Sequence, residues 1–274
     1  MPESKNIFWQ ESIAHQWGLY APPVRPSASE IRIWRHWLKR KKNARTLILG
    51  ATPELRHLCH ALGHNVTLID VSLPMMSAMQ RFMRVRDPQE TWVRANWTDN
   101  PLRSDYFDFV IGDLVVGNVP RILQSAFFAS IARVLKVGGL FIHRPWLGAP
   151  MDMQTLQRQF GALRLPLPRQ RDNEWCFGLL GLSWDPKSYE VSSEGSRRII
   201  QQYLASLSLS ERSTIAPAFR RFNILFMGKK KWWVLPSDAL RRAEQRFFRI
   251  VDILEGDDRL FVARTPLHIL KKKN

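Results

Sequence analysis

The 274-residue chain is predicted to fold as an α/β protein around a doubly wound, mostly parallel sheet. Three observations predict it. Thr46-Leu-Ile-Leu-Gly50 is an aliphatic run ending in glycine, the pattern of a buried parallel strand entering a tight turn. Val66-Thr-Leu-Ile-Asp70 repeats the pattern and ends on a carboxylate 20 residues beyond Gly50. Further aliphatic runs then alternate with helical stretches as far as residue 146, which implies parallel strands joined by right-handed crossovers.

In chain order, residues 1–43 form an aromatic and basic leading segment. Phe8, Trp9, Trp17 and Tyr20 surround a proline-rich turn, Pro22-Pro-Val-Arg-Pro26, and irregular flanking segments of this kind often carry sites. Ser27-Ala-Ser-Glu30 is a capping box that opens a helix. Ile31, Trp34 and Leu38 fall on one face of that helix, and Arg40-Lys-Lys42 ends it favourably for its dipole. Residues 44–146 are the core, with strands near 46–50, 66–70, 91–95, 108–113 and 139–144 and helices near 53–62, 74–84 and 120–136. Thr52 is placed to cap the first of these helices, with Pro53 where a missing N–H costs nothing.

Residues 147–235 are less regular, being interrupted by Pro166, Pro168, Pro186 and the Gly178–Gly181 stretch. They contain a helical pattern from Ser193 to Leu209 and a short apolar run from Phe222 to Met227, and they read as an insertion after the fifth strand. In residues 236–274, Ser237 caps a helix to about Phe248. Two strands, Ile250–Leu254 and Leu260–Leu270, then form a hairpin around Glu255–Asp258.

Lysine and arginine number 41 against 24 aspartate and glutamate, a net charge of +17. Such a balance attracts polyanions and leaves RNA or another polyanion open as a partner. The two cysteines, Cys59 and Cys176, show no CxxC spacing and read as reduced, buried thiols of a cytoplasmic protein. The N-terminus is polar and aromatic, unlike a signal peptide, and no apolar run approaches the roughly 18 residues of a membrane span. His57, His60 and His64 lie at helical spacing without a carboxylate or thiol to complete a metal set, so no metal is expected.

The Gly50 turn and Asp70 read together as a nucleoside site, because an acid at that spacing commonly holds the hydroxyls of a ribose. A dinucleotide would need glycines where Thr52 and Glu54 stand, and Glu54 sets a negative charge against any phosphate at the helix start. A cofactor with ribose hydroxyls and no phosphate fits better, and S-adenosylmethionine is the usual one.

Five motifs, in order, resemble those of the class I S-adenosylmethionine-dependent methyltransferases. They are the Leu49-Gly-Ala-Thr52 turn, the acid Asp70, Val93-Arg-Ala-Asn-Trp97-Thr-Asp-Asn-Pro-Leu102, Phe107-Asp-Phe-Val-Ile-Gly-Asp113, and Leu135-Lys-Val-Gly-Gly139 with the strand to His143. The resemblance implies a Rossmann-like sheet of seven strands with an antiparallel last strand. It also implies that Gly50, Ala51, Thr52, Asp70, Val71, Asn96, Trp97 and Asp113 hold S-adenosylmethionine. The chain departs from the family at Ile48, where an acid is usual, and at Asn96, where an aspartate often stands.

Asp113 and His143 are the candidate catalytic groups. Asp113 would face the sulfonium and the substrate, as charge balance or as base, and a histidine's ordinary pKa of roughly 6.5 suits His143 to deprotonate an acceptor. Trp9, Trp17 and Tyr20 are the candidate substrate wall, and Arg144 would clamp an acidic group of the acceptor. The expected reaction is methyl transfer to oxygen or nitrogen of a small molecule. Two other readings stay open. One is an RNA methyltransferase, favoured by charge but showing Gly-Asp-Leu-Val in place of an Asn-Pro-Pro-Tyr-type run. The other is a protein that binds S-adenosylmethionine for different chemistry or for none, suggested by Ile48, Thr52 and Glu54.

Overall fold

The structure is a computed structural model that describes residue 14 and residues 16–84, 89–160, 169–226 and 228–273. Trp9 and Phe8 lie outside the described residues, as do Pro166, Pro168 and Met227. The leading helix α1, Ala28–Leu38, begins at the expected capping box. Ser27 Oγ accepts the Glu30 N–H at 3.2 Å, and Glu30 accepts the Ser27 N–H at 2.7 Å. Its buried face is Trp34, Trp37 and Leu38.

The core then follows as β1 (Arg45–Leu49), α2 (Pro53–Ala61), β2 (Asn65–Asp70), α3 (Leu73–Met79), β3 (Glu90–Arg94), β4 (Phe107–Asp113), α4 (Gln124–Val134) and β5 (Leu135–Arg144). The intervening segment holds α5 (Met153–Phe160), α6 (Arg169–Leu180), β6 (Glu190–Ser192), α7 (Ser193–Ser206), α8 (Leu209–Leu225) and β7 (Lys231–Trp233). The chain closes with α9 (Ser237–Gln245), β8 (Phe248–Leu254) and β9 (Leu267–Lys272). Seven strands form one sheet in the order β3-β2-β1-β4-β5-β9-β8, while β6 and β7 pair separately. Every neighbouring pair from β3 to β5 is parallel, and β9 is antiparallel to both β5 and β8.

Alternation along each strand divides the core into two layers. Ile48, Leu68, Ile111 and Ile142 pack with α1, α2, α3 and the helices of residues 147–235. Leu47, Leu49, Ile69, Val110 and Phe141 pack with α4 and α9. A sheet covered on both faces is what the near-continuous aliphatic strands require.

Several boundaries differ from the sequence expectation. The strand β5 begins at Leu135, directly after α4, and Lys136–Gly139 is an irregularity inside it: Phe107 pairs with Leu135 but Phe109 with Leu140. The glycines near 178–181 do not break the chain. Gly178 lies within α6, where a Cβ would run into Leu156, so this glycine serves close helix packing. The apolar run from Phe222 is the end of α8, and the second hairpin strand starts at Leu267, after a short 3-10 turn at Val262–Arg264. Ser237 is the first residue of α9, with Pro236 at the cap position.

One buried charge network ties the sheet to α1. Arg144, at the end of β5, donates from Nε to Asp113 Oδ1 at 2.6 Å and from Nη2 to Asp113 Oδ2 at 3.0 Å. Its Nη1 reaches Glu30 at 3.3 Å, and Glu30 also accepts from Arg259. The Glu30, Arg144 and Arg259 side chains are fully buried, and breaking a buried pair by removing one partner typically costs about 3–5 kcal/mol. Glu30→Gln keeps the capping geometry but removes the buried negative charge that Arg144 and Arg259 share. It is expected to lower unfolding free energy by roughly 3 kcal/mol or more in urea titration. A shift below 1 kcal/mol would show that the network contributes little.

Candidate active site

A cleft opens outside the carboxyl ends of β1, β2 and β4, where ligands of open α/β sheets bind. Gly50, Ala51 and Thr52 come from the turn after β1, Asp70 and Val71 from the end of β2, Asn96 and Trp97 from the loop after β3, and Asp113 from the end of β4. Every residue that the sequence nominated for the cofactor therefore lines this cleft. Trp17 and Val24 of the leading segment, with Met75 and Met79 of α3, supply one wall. Leu114, Val115, Asn118, Val119, Pro120 and Leu123 supply another.

The turn requires glycine at position 50, whose φ is +85°. Its N–H donates to the Ile69 carbonyl at 2.9 Å, and a Cβ there would stand 3.8 Å from both Asp70 Oδ2 and Trp97 Cζ2. Asp70 is thus oriented across the mouth of the turn. Its Oδ1 accepts the Ser72 N–H at 2.8 Å, leaving Oδ2 on the Gly50 side. Burial pushes the Asp70 carboxyl up to about 6, opposed by the Ser72 and Val71 amides and by Lys230. The Trp97 indole donates to the Ile69 carbonyl at 2.8 Å, which fixes the plane of its ring. Asn96 Oδ1 accepts from the Thr98 N–H and hydroxyl, both at 3.0 Å, so its amide NH₂ is the group left to meet a ligand.

Thr52 stands at the N-cap of α2 but makes no side-chain capping bond, contrary to expectation. Glu54 is not an isolated charge, because Arg25 Nε donates to it at 2.6 Å while its guanidinium lies 5.4 Å from the centre of the Trp17 ring. At the far side, Asp113 gives both oxygens to Arg144, and burial pushes its carboxyl up to about 6 against that pull.

The next residue, Leu114, has φ +53°, a left-handed conformation that costs a leucine of order 1–3 kcal/mol and is concentrated at functional sites. It is held by its N–H to the Arg144 carbonyl and by its carbonyl accepting Asn118 Nδ2, both at 2.8 Å. Asn118 Oδ1 and Trp17 Nε1 are buried without a partner among the described residues. Two hydrogen-bonding atoms, one acceptor and one donor, are thus left over in residues that line the cleft. No local pattern marks Leu114, Met75 or Met79 in the sequence. Asn118 carried a weak signal only, as a polar residue in the loop after β4.

Three nominated residues are elsewhere. Tyr20 is 1% exposed and donates its hydroxyl to the Leu225 carbonyl at 2.7 Å, so it anchors the leading segment to α8 and does not wall the cleft. Arg144 is spent on Asp113 and Glu30 and has no free face for an acceptor. His143 is fully buried in the opposite layer, because consecutive residues of β5 point to opposite faces. Its ring stacks on Phe141 and its Nε2 meets Glu244 at 2.9 Å. His268 Nδ1 meets the same carboxylate at 2.9 Å, and burial holds the His143 imidazole below its ordinary value. The ligand-type atoms of these three residues lie within 4.8 Å of one another. However, His143 Nδ1 and His268 Nε2 have no partner among the described residues, and metal coordination would strand both as buried N–H groups. Hydrogen bonding to Glu244 is the use the geometry favours.

Residues 49–143 match the family model described as a methyltransferase domain. That segment runs from the end of β1 through the whole rim to β5. That segment of the sheet core is similar to a methyltransferase domain. Its fold is shared with solved structures at low identity. A Rhodobacter sphaeroides protein, provisionally described as a zinc-dependent alcohol dehydrogenase, is 17% identical with a TM-score of 0.57, over 97% of this chain and 100% of that one. The N-methyltransferase NodS from Bradyrhizobium japonicum, in complex with S-adenosyl-L-homocysteine, is 10% identical with a TM-score of 0.52, over 98% and 100%. The magnesium protoporphyrin IX methyltransferase of Synechocystis is 13% identical with a TM-score of 0.50, over 98% and 86%. These likenesses concern the fold. A sequence comparison with curated proteins finds no match. Among the described residues, no helix is long and apolar enough to cross a membrane.

The methyltransferase reading of the rim makes a negative prediction for His143. His143→Gln is expected to destabilise the fold by about 1–3 kcal/mol, the cost of disturbing a buried hydrogen-bonded group, with S-adenosylmethionine affinity unchanged within twofold by calorimetry. A loss of affinity in a variant that remains folded would return His143 to the site.

Proposed function

We propose that this protein transfers a methyl group from S-adenosylmethionine to an oxygen or nitrogen of a small acceptor that carries no negative charge. The observation that carries the acceptor class is the charge of the cleft. Among the described residues its lining includes two carboxylates, Asp70 and Asp113, and no lysine, arginine or histidine, in a chain of net charge +17. Two cations bonded to residues beside it are committed, Arg25 to Glu54 and Arg144 to Asp113. Lys230, which acts on Asp70 electrostatically, does not line the cleft. A phosphate or carboxylate entering here would meet like charge without a compensating partner.

The residues fit the cofactor. Asp70 Oδ2 is free to accept from ribose hydroxyls, Val71 and the fixed Trp97 ring suit the adenine, and the Asn96 amide suits its edge. The Gly50–Thr52 turn, with the uncommitted Thr52 hydroxyl, would hold the amino-acid end. S-adenosylmethionine supplies an electrophilic methyl group on a sulfonium. Asp113, already bonded twice to Arg144, offers that cation a fixed negative potential and is poorly placed to serve as base. The apolar walls from α3 and the Leu114–Leu123 segment exclude water, and alignment in such a site supplies most of what methyl transfer needs. Asn118 Oδ1 is the acceptor atom for the N–H or O–H of the incoming molecule, and its orientation is locked by the bond from Nδ2 to Leu114.

Calorimetry with S-adenosylmethionine tests the cofactor site. Asp70→Ala is expected to weaken binding about 100-fold, as loss of two charge-assisted hydrogen bonds implies. Undiminished binding would overturn the assignment. Because Asp70 must be ionised to accept from the ribose, affinity should fall as pH drops through about 6, with binding at pH 5 roughly tenfold weaker than at pH 8. Asp70→Asn should flatten that profile, apart from any contribution of Asp113, whose carboxyl also stands at about 6.

Turnover of a panel of phenols and primary amines tests Asn118. Asn118→Ala is expected to lower kcat/KM by 10- to 100-fold with S-adenosylmethionine affinity intact. Turnover of aryl phosphates in preference to the neutral panel would contradict the acceptor class.

A further inference from the structure

The cations missing from the cleft gather at the other end of the sheet. α1 runs out into the exposed Arg40-Lys41-Lys42, which lies beside the start of β1 at Arg45. Lys136 stands just inside β5, and Lys271-Lys272 at the end of β9 are followed by Lys273. β9 runs opposite to its neighbours, Lys271 pairing with Leu140 and Lys272 with Phe248, so its last residues lie at the amino ends of the parallel strands. From β1 to β8 this base crosses four strand spacings, roughly 19 Å at about 4.8 Å each. Its acids are already engaged. Asp108 is shared by Lys41 and Lys136 at 2.7 and 2.6 Å, and Asp105 holds Lys272 at 2.5 Å. Arg40, Lys42, Arg45, Lys271 and Lys273 carry the surplus charge.

We propose that this base is a docking surface for single-stranded RNA, separate from the catalytic cleft. Unneutralised cations spread over some 19 Å suit a phosphodiester backbone better than a single small anion. Two of the arginines lie over rings, Arg40 at 3.6 Å from the centre of Trp37 and Arg45 at 4.5 Å from the centre of Tyr106. A guanidinium backed by a ring is a stiff, flat platform, and unstacked bases pack on such planes, which a duplex does not offer. A membrane surface is the weaker fit, since stable anchoring needs an apolar signal beside the basic one. At this base Val137, 67% exposed, is the strongly exposed apolar side chain among the described residues. The strand β4, seven residues from Phe107 to Asp113, separates base from cleft by about 20 Å, so a docked strand is tethered without becoming the methyl acceptor.

The test is fluorescence anisotropy with a labelled 20-nucleotide oligouridylate across a salt series, on the full chain. Wild type is expected to bind with a steep log–log salt dependence. The triple variant Lys42→Glu, Lys271→Glu, Lys273→Glu should weaken binding at least tenfold at 100 mM salt. It should also flatten the slope by about 2, near 0.7 for each lost contact with a single strand. The control triple Arg158→Glu, Lys187→Glu, Arg212→Glu carries the same charge change on the segment after β5 and should leave both quantities near wild type. S-adenosylmethionine affinity, measured in parallel, confirms that each variant is folded and reports on the cleft independently. Absence of RNA binding by wild type, equal losses in the two triples, tighter binding of duplex DNA, or base-dependent binding of anionic phosphatidylserine vesicles with none of RNA would each overturn the proposal.

Discussion

The guanidinium of Arg144 is the point on which the arrangement of the cleft depends. It is buried at the junction of β4, β5 and α1, and a charge so placed is tolerated only when its donors are met. Asp113 meets two of them from β4, and Glu30 meets a third from the first turn of α1. Glu30 is at the same time the carboxylate of the capping box, so one side chain starts the helix and pins it to the sheet. Ser29 adds a second fastening, its N–H and hydroxyl donating to Asp258 at 2.9 and 2.7 Å, which brings the loop after β8 into the same cluster. With α1 fixed, Trp17 and Val24 are carried over the turn after β1, where Arg25 closes on Glu54. The wall of the cleft is therefore a consequence of a buried ion network several residues away from it.

The same network decides the chemistry of Asp113. A carboxylate at the end of the fourth strand invites the role of general base, and its spacing in the sequence supports that reading. Two bonds to one guanidinium change it into a fixed counter-charge. His143 illustrates the complementary limit. His143 and Arg144 are adjacent polar residues at the end of an aliphatic run, and the sequence places both at the rim. Strand pairing continues through them, with His143 opposite His268 and Arg144 opposite Asp113, so the two side chains go to opposite layers. Period-two alternation is legible only when the last paired residue is known, and polar residues conceal where the burial ends.

What the sequence did convey was carried by backbone demands. Aliphatic strands buried on both faces and a glycine at positive φ leave local signatures, and Asp70 followed at the expected spacing. The parallel strands β1 to β4, the rim residues Gly50 to Asp113 and the capping box were therefore legible. Elements stabilised by tertiary packing were not. α6 passes through Gly178 because Leu156 needs the space, and α8 contains Pro217, so residues that locally signal a break lie inside helices. Leu114 is the clearest case: nothing about a leucine announces a left-handed backbone, which here is imposed by the Arg144 carbonyl and by Asn118.

Net charge is the property that sequence reports most completely and locates least. A surplus of 17 positive charges invites a polyanionic substrate, yet the cleft is lined by carboxylates and apolar side chains. The direction of one strand accounts for much of the difference. Because β9 is antiparallel to β5, its terminal lysines emerge at the amino ends of the parallel strands. Had β9 run parallel, the same three lysines would stand on the rim beside Asp113, and the site would attract the anions it now disfavours. A sulfonium cofactor is a cation, and a rim that gathered lysines would oppose its entry. The reversed last strand thus keeps those lysines away from a cleft lined by carboxylates and gathers them at the far end of the sheet.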